Sequence, residues 1–195
     1  MKRHVKLFEE LQDKFELDFP ELRQSTNYDC GAVALQGVLD YYGIDTREGD
    51  LVKVLGTKST DIEKNGTKMR DMAELAEYYG LRTEVRRDMS IDDVLRFVNG
   101  GIPVILLLQA WKDFSRTAEW NDDEDDGHYV VAIGFDGDKM IFEDPSLTVR
   151  GWMSKAELED RWHGLDDDDV TIVKHAAVVI FGEPEFDSSK KQHID

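Results

Sequence analysis

Gln24 stands six residues ahead of Cys30, the only cysteine in a chain of 195 residues, and Gly31 follows that cysteine directly. The stretch Gln24-Ser25-Thr26-Asn27-Tyr28-Asp29-Cys30-Gly31 lies where an extended approach past Pro20 turns into an apolar run of helical period. A thiol at the head of a helix faces the positive end of the helix dipole, which favours the thiolate and therefore nucleophilic attack. Gly31, lacking Cβ, is expected to let a substrate carbonyl approach the backbone N–H of Cys30. The side-chain amide of Gln24 can supply a second donor to the oxyanion that forms.

A thiolate nucleophile needs a base within hydrogen-bond reach and a third group to orient that base. Of the five histidines, His4 and His193 lie near the termini, His163 follows Trp162 at the expected end of a helix, and His175 reads as an edge residue opening a strand. His128 follows Gly127 and opens the most apolar strand, Tyr129 to Phe135, which makes it the candidate base. Met140 to Asp144 follows after the turn Asp136-Gly137-Asp138, so the two segments form a hairpin in which the start of the first lies beside the end of the second. That places Asp144 where its carboxylate can accept the imidazole Nδ1–H, and Pro145 fixes the backbone just beyond it. Singly, each residue has a bland reading: a buried thiol, a surface amide, a structural histidine, a turn aspartate. Only their conjunction points to acyl transfer.

The elements that must position these groups are legible as periodicities. Leu35, Val38, Leu39 and Tyr42 recur at helical spacing after Cys30, and Gly43 stops that helix. Leu7, Phe8, Leu11 and Phe15 suggest an amphipathic helix over residues 6–18, and another covers Asp50 to Leu55. A further helix has Thr67 as N-cap, Met69, Met72, Ala73 and Ala76 inward, and Gly80 at its end. Leu81 to Val85 alternates like a strand, and a capping box of Ser90 and Asp93 opens a helix through Phe97 that ends at Gly100-Gly101. After that the character changes to strands: Ile102 to Leu108, Tyr129 to Phe135, Met140 to Phe142, Trp152 and Ala176 to Phe181, with one helix capped by Ser154 and Glu157 running to Trp162. A helical half followed by an antiparallel sheet is an α+β arrangement. The expected organisation is one domain over residues 1–182, with 1–20 as a helical extension and 183–195 as a polar, frayed tail.

Composition narrows the function. The formal charge of −18 opposes a phosphate backbone, so nucleic acid is not an expected partner. One cysteine allows no intramolecular disulfide and no thiolate-rich zinc site. The acidic runs Asp122 to Asp126 and Asp166 to Asp169 read as solvated loops, and neither has the alternating ligands of an EF-hand, so no metal is expected. Ile102 to Leu108 is far shorter than the about 20 residues a membrane helix needs. The N-terminus shows no secretory pattern, and a cytoplasmic location is expected. Trp111, Trp120, Trp152 and Trp162 read as core or cleft-lining groups without chemistry.

Taken together, Gln24, Asp29-Cys30-Gly31, the helix ending Tyr41-Tyr42-Gly43, the segment Gly127-His128-Tyr129-Val130-Val131 and the step Asp144-Pro145 resemble the C39 peptidases over roughly Gln24 to Trp162. That family includes bacteriocin-processing domains that cut after a double-glycine leader, usually fused to an ABC exporter. The resemblance implies a papain-like fold, with a nucleophile-bearing helix packed on a sheet that carries the histidine and aspartate. It implies Cys30 as nucleophile, His128 as base, Asp144 as its partner and Gln24 as oxyanion donor, acting on a peptide or protein substrate without a cofactor. The chain lacks the exporter's membrane spans and nucleotide-binding module, which suggests a standalone C39-like protein. It also carries an acidic segment, Lys112 to Asp126, expected to act as a lid or cleft wall. The same triad would serve acyl transfer to an amine or deamidation, and a peptide-binding module that does not turn over would keep the same fold.

Overall fold

The computed structural model describes residues 13–59, 64–111, 119–124 and 126–191. The chain begins there with strand β1 (Lys14–Glu16), helices α1 (Cys30–Tyr41) and α2 (Glu48–Val54), and the short strands β2 (Lys58–Ser59) and β3 (Lys64–Asn65). Helix α3 (Met69–Tyr78), strand β4 (Arg82–Arg86) and helix α4 (Ile91–Asn99) follow. The remainder is strand-rich: β5 (Val104–Gln109), β6 (Gly127–Asp136), β7 (Lys139–Glu143), β8 (Gly151–Ser154), helix α5 (Lys155–Arg161), β9 (His163–Leu165), β10 (Ile172–Lys174) and β11 (Ala177–Phe181). The α+β arrangement is as expected.

Helix α1 carries no charged side chain before Asp40, and its burial follows from that composition. Ala32, Val33, Ala34, Leu35, Val38 and Leu39 are all buried, so the helix is covered on nearly every side rather than along one stripe. It lies against β6 and α3. Its end is a Schellman turn: Gly43 has φ of 79°, its N–H donates to Asp40 O at 3.0 Å, and Ile44 N donates to Leu39 O at 2.9 Å. Gly80 and Gly101 end α3 and α4 the same way, with φ of 88° and 85°. Only a residue without Cβ adopts that conformation at no steric cost.

Among the described residues, seven strands form one antiparallel sheet in the order β4-β11-β5-β6-β7-β8, with β1 paired to β6. Strand β6 is its spine. It pairs with β5 from Gln109↔Gly127 to Val104↔Ala132, and β1 continues beyond β5 at Glu16↔Gly134. A Cβ on Gly134 would sit 2.6 Å from Phe15 O, so glycine there admits β1. Strand β7 pairs with β6 through the expected Asp136-Gly137-Asp138 turn, with a bulge between Ala132 and Gly134.

Several expectations are corrected. Residues 6–12 of the expected N-terminal helix fall outside the described residues, but its second half is strand β1, and Leu17 and Phe19 are buried in the core. Pairing with the open edge of β6 outweighs the weak helical spacing. The N-cap of α3 is Lys68 rather than Thr67. Residues 183–191 do not fray: Glu185 N and Phe186 N both donate to Tyr41 O, at 3.0 and 3.2 Å, strapping the tail across the end of α1. Strands β9 and β10 are too short for periodicity to reveal.

The fold depends on the burial of α1. Replacing Leu39, fully buried, by alanine is expected to lower the unfolding free energy by about 2–5 kcal/mol. Urea titration checks this, and a loss well under about 1 kcal/mol would contradict a central helix.

Candidate active site

Cys30 is the first residue of α1 and is partly exposed. The loop ahead of it is tied at several points. Thr26 Oγ1 donates to Asp29 Oδ2 at 2.8 Å. Ser25 donates to the Glu48 carboxylate on α2 from its backbone N at 2.7 Å and its hydroxyl at 2.5 Å. Gln24 N donates to Pro145 O at 3.0 Å, which fastens the Gln24 loop to the residue after Asp144. The Gln24 amide nitrogen donates one hydrogen to Thr26 O at 2.8 Å, leaving the second for another acceptor.

His128, second residue of β6, is 1% exposed. Its Nε2 meets Asp144 Oδ1 at 2.8 Å, and the same oxygen accepts from Ser146 N at 2.8 Å and Ser146 Oγ at 2.7 Å. The expectation that Asp144 would take Nδ1 is therefore corrected, and the register explains it. Val131 lies opposite Glu143, so Asp144 falls level with Val130, two residues from His128. The imidazole leans along the strand and its far nitrogen reaches the carboxylate. The near nitrogen, Nδ1, is buried and engages no nitrogen or oxygen among the described residues, and the group acting on the ring from the helix side is Cys30. Cys30, His128 and Asp144 are thus brought into one line from α1, β6 and the end of β7.

Burial alone would push the imidazole down. The hydrogen bonds with Asp144 and Cys30, and the attraction of those side chains, outweigh it, holding His128 up at about 9. Burial likewise pushes the Asp144 carboxyl up, but His128 and Ser146 more than compensate, so it lies below the ordinary carboxylate range. Both directions favour imidazolium against carboxylate at neutral pH.

Glu143, adjacent to Asp144, went unnoticed in the sequence. It is 3% exposed and collects Leu22 N at 3.0 Å, Arg23 Nη1 at 2.6 Å and the Arg150 guanidinium. Arg150 also donates to Phe19 O. This buried cluster clamps the extended segment before Gln24 onto the hairpin end that carries Asp144. The sequence signal was a glutamate directly after the apolar run Met140-Ile141-Phe142.

Two other expectations change. Gly31 does not open a path to substrate: a Cβ there would lie 2.5 Å from Thr67 Cβ and 3.0 Å from the Tyr129 ring, so the glycine lets α1 seat against the segment leading into α3 and against β6. The acidic run Asp166 to Asp169 is no free loop. Asp167 accepts from Met69 N at 2.7 Å and Arg70 N at 3.2 Å, capping α3 from across the chain. Arg87 holds Asp166 with two bonds and Lys68 bonds Asp169 at 3.0 Å. This loop, with Gly66, Thr67 and Tyr129, walls a cleft that opens at Cys30.

Of the segment expected to form a lid, residues 112–118 and 125 lie outside the described residues. Trp120–Asp122 is a turn of 3-10 helix that meets α5 through Asn121 and Asp160 at 3.3 Å. His163 and His175 are engaged elsewhere, the first on Asp123 O at 2.7 Å and the second stacked on Trp162 with centroids 4.9 Å apart. His4 and His193 lie outside the described residues. Trp111, to which the sequence reading gave no chemistry, packs its ring on His128. Among the described residues no helix is long and apolar enough to cross a membrane, and no group of three or more His, Cys, Asp and Glu side chains is placed to hold a metal.

The raised His128 value ties stability to pH. A histidine whose folded value of about 9 exceeds its ordinary 6.5 contributes stability in full below about 6.5 and loses it as pH rises through about 9. Asp40, pushed up to about 6 by burial, titrates below that window. The thermal midpoint is therefore expected to fall between pH 6.5 and 9.5, and to fall less in Asp144→Asn. An identical slope in both proteins would contradict the pairing.

Comparison with known proteins identifies the fold. Residues 16–169 match the Peptidase_C39 like family. No curated protein sequence matches the chain. Among solved structures, a C39-like peptidase from Bacillus anthracis superposes with a TM-score of 0.67 at 17% identity, covering 88% of this chain and 99% of that one. A double glycine motif protease from an AMS/PCAT transporter, solved in complex with the leader peptide, gives 0.58 at 18%, covering 85% of this chain and 92% of that one. The peptidase domain of Streptococcus ComA, a bifunctional ABC transporter, gives 0.57 at 19%, covering 83% and 97%. At such identities the likeness is one of fold.

Proposed function

This chain belongs to the Peptidase_C39 like family, and we propose that it is a cysteine peptidase in which Cys30 attacks, His128 carries the proton, Asp144 orients His128 and Gln24 helps hold the oxyanion. The observation that carries this reading is the 2.8 Å bond from His128 Nε2 to Asp144, which leaves Nδ1 on the side of Cys30. In the proposed reaction the Cys30 sulfur forms a bond to a peptide carbonyl carbon and the oxygen takes up the negative charge. The Cys30 N–H and the free amide hydrogen of Gln24 receive that charge. Imidazolium Nδ1–H then protonates the departing amine. The same nitrogen, now neutral, takes a proton from water as the water's oxygen replaces sulfur on the acyl carbon.

Peptide substrates for this chain are supported by the neighbour solved with its leader peptide, and a double-glycine sequence before the scissile bond is the first to test. The proposed unit is a single domain running to residue 182 with the tail strapped on, supported by the 99% coverage of the Bacillus anthracis structure. A free thiol that must stay reduced to act suits the cytoplasm.

Iodoacetamide is expected to alkylate wild-type Cys30 much faster than free cysteine at neutral pH, and His128→Ala to slow it markedly. In a peptide-library assay read by mass spectrometry, Cys30→Ala should abolish cleavage, and Gln24→Ala should lower turnover by about 10²–10³-fold. Binding of peptides without any cleavage by the wild type would contradict the peptidase reading, and products carrying a transferred amine or a deamidated side chain would redirect it.

A further inference from the structure

The end of β5 is held from several sides. Arg161 Nε donates to Gln109 O at 2.9 Å, Asp126 N donates to Gln109 Oε1 at 3.1 Å, and Gln109 Nε2 donates to His163 O at 3.1 Å. Ala110 N donates to Asp126 O at 2.9 Å. The next residue, Trp111, has φ of 51°, a left-handed conformation that a bulky side chain adopts only where its surroundings impose it. That conformation lays the indole on the His128 imidazole, with centroids 4.5 Å apart and planes tilted by 54°. The indole is 54% exposed, whereas the imidazole beneath it is 1% exposed. A tryptophan held half-bare on strained backbone is not there to fill the core. It covers a histidine.

We propose that Trp111 is a positioning residue for His128, its indole roofing the imidazole, keeping water from the bond to Asp144 and presenting an aromatic face to the imidazolium. The inference rests on the cysteine peptidase reading, since it concerns the protonated state that reading requires. An aromatic face attracts a cation, more strongly where water is excluded. The titratable groups acting on His128 are Asp144 beyond β7 and Cys30 on α1. From β5 the paired residue is Leu108, uncharged, and Glu124 lines the cleft that opens at Cys30. Removing the indole takes away the aromatic face and admits water. Admitted water weakens both the burial that pushes His128 down and the partners that hold it up, so the loss of the aromatic face, which acts in one direction only, sets the expected fall in the pH at which the imidazolium is lost.

The test follows the pH dependence of Cys30 alkylation by iodoacetamide in wild type, Trp111→Ala, Trp111→Leu and Trp111→Phe. The alkaline step of the profile is expected to move down by about half to one pH unit in the alanine and leucine variants, a change of about three- to tenfold in the protonation equilibrium, with phenylalanine recovering most of it. Leucine fills space without a π face, so its contrast with phenylalanine stands whether or not the alanine variant folds. A leucine variant with the wild-type step, or a phenylalanine variant as impaired as leucine, overturns the proposal. A wild-type thiol that reacts no faster than free cysteine defeats the peptidase reading and this inference with it, and is seen before any variant is compared.

Discussion

A carboxylate and an imidazole removed from water must neutralise each other, and in this protein that requirement fixes where three separate elements end. Asp144, 17% exposed at its side chain, sits one residue past β7, and His128 one residue inside β6. An ion pair so placed is stable only when its geometry is good and its remaining lone pairs are satisfied. Ser146 adds two further bonds to the oxygen that meets the imidazole. Because the carboxylate takes the far nitrogen, the near one faces the helix head, and Cys30 meets a ring that is already oriented. The hairpin therefore does more than bring two letters of the sequence together. Its register decides which nitrogen each neighbour receives.

A second layer of charge holds this line in place. Glu143 gathers two arginines and a backbone amide, and its neighbour Asp144 serves the imidazole, so two consecutive carboxylates perform different tasks because their side chains leave the strand on opposite faces. Across the cleft, Asp167 caps α3 and Asp166 pairs with Arg87. Much of the acidity around the site is thus already bonded within the fold. A chain with a net charge of −18 reads as uniformly repulsive, yet near its cleft the carboxylates act as clamps and caps.

Cys30, His128 and Asp144 were legible because each sits at the boundary of a strongly periodic segment, and boundaries set by a Gly stop, a tight turn or a proline translate directly into positions. The long apolar strands and the capping box of α4, confirmed with both bonds present, were legible for the same reason. What escaped has physical causes as well. Which nitrogen of His128 faces Asp144 depends on a register offset that no pattern encodes. Gly31 admits two interpretations, approach of a ligand or approach of a neighbouring segment, and only the placement of Thr67 and Tyr129 decides for the second. The cap that Asp167 gives α3 joins residues about a hundred positions apart, beyond any local rule. Strand β1 and the strap at residues 183–191 owe their conformations to edges and helix ends supplied by the rest of the chain.

The central claim is that the imidazole of His128 is held charged between the Cys30 side chain and the Asp144 carboxylate. Titration of its ring nitrogens by NMR tests this most directly, in wild type and in Cys30→Ala. The expected result is an imidazolium that persists at neutral pH and loses its proton near 9, with that midpoint falling once the sulfur is removed. A ring that titrates near the ordinary 6.5 and is indifferent to the loss of the thiol would contradict it.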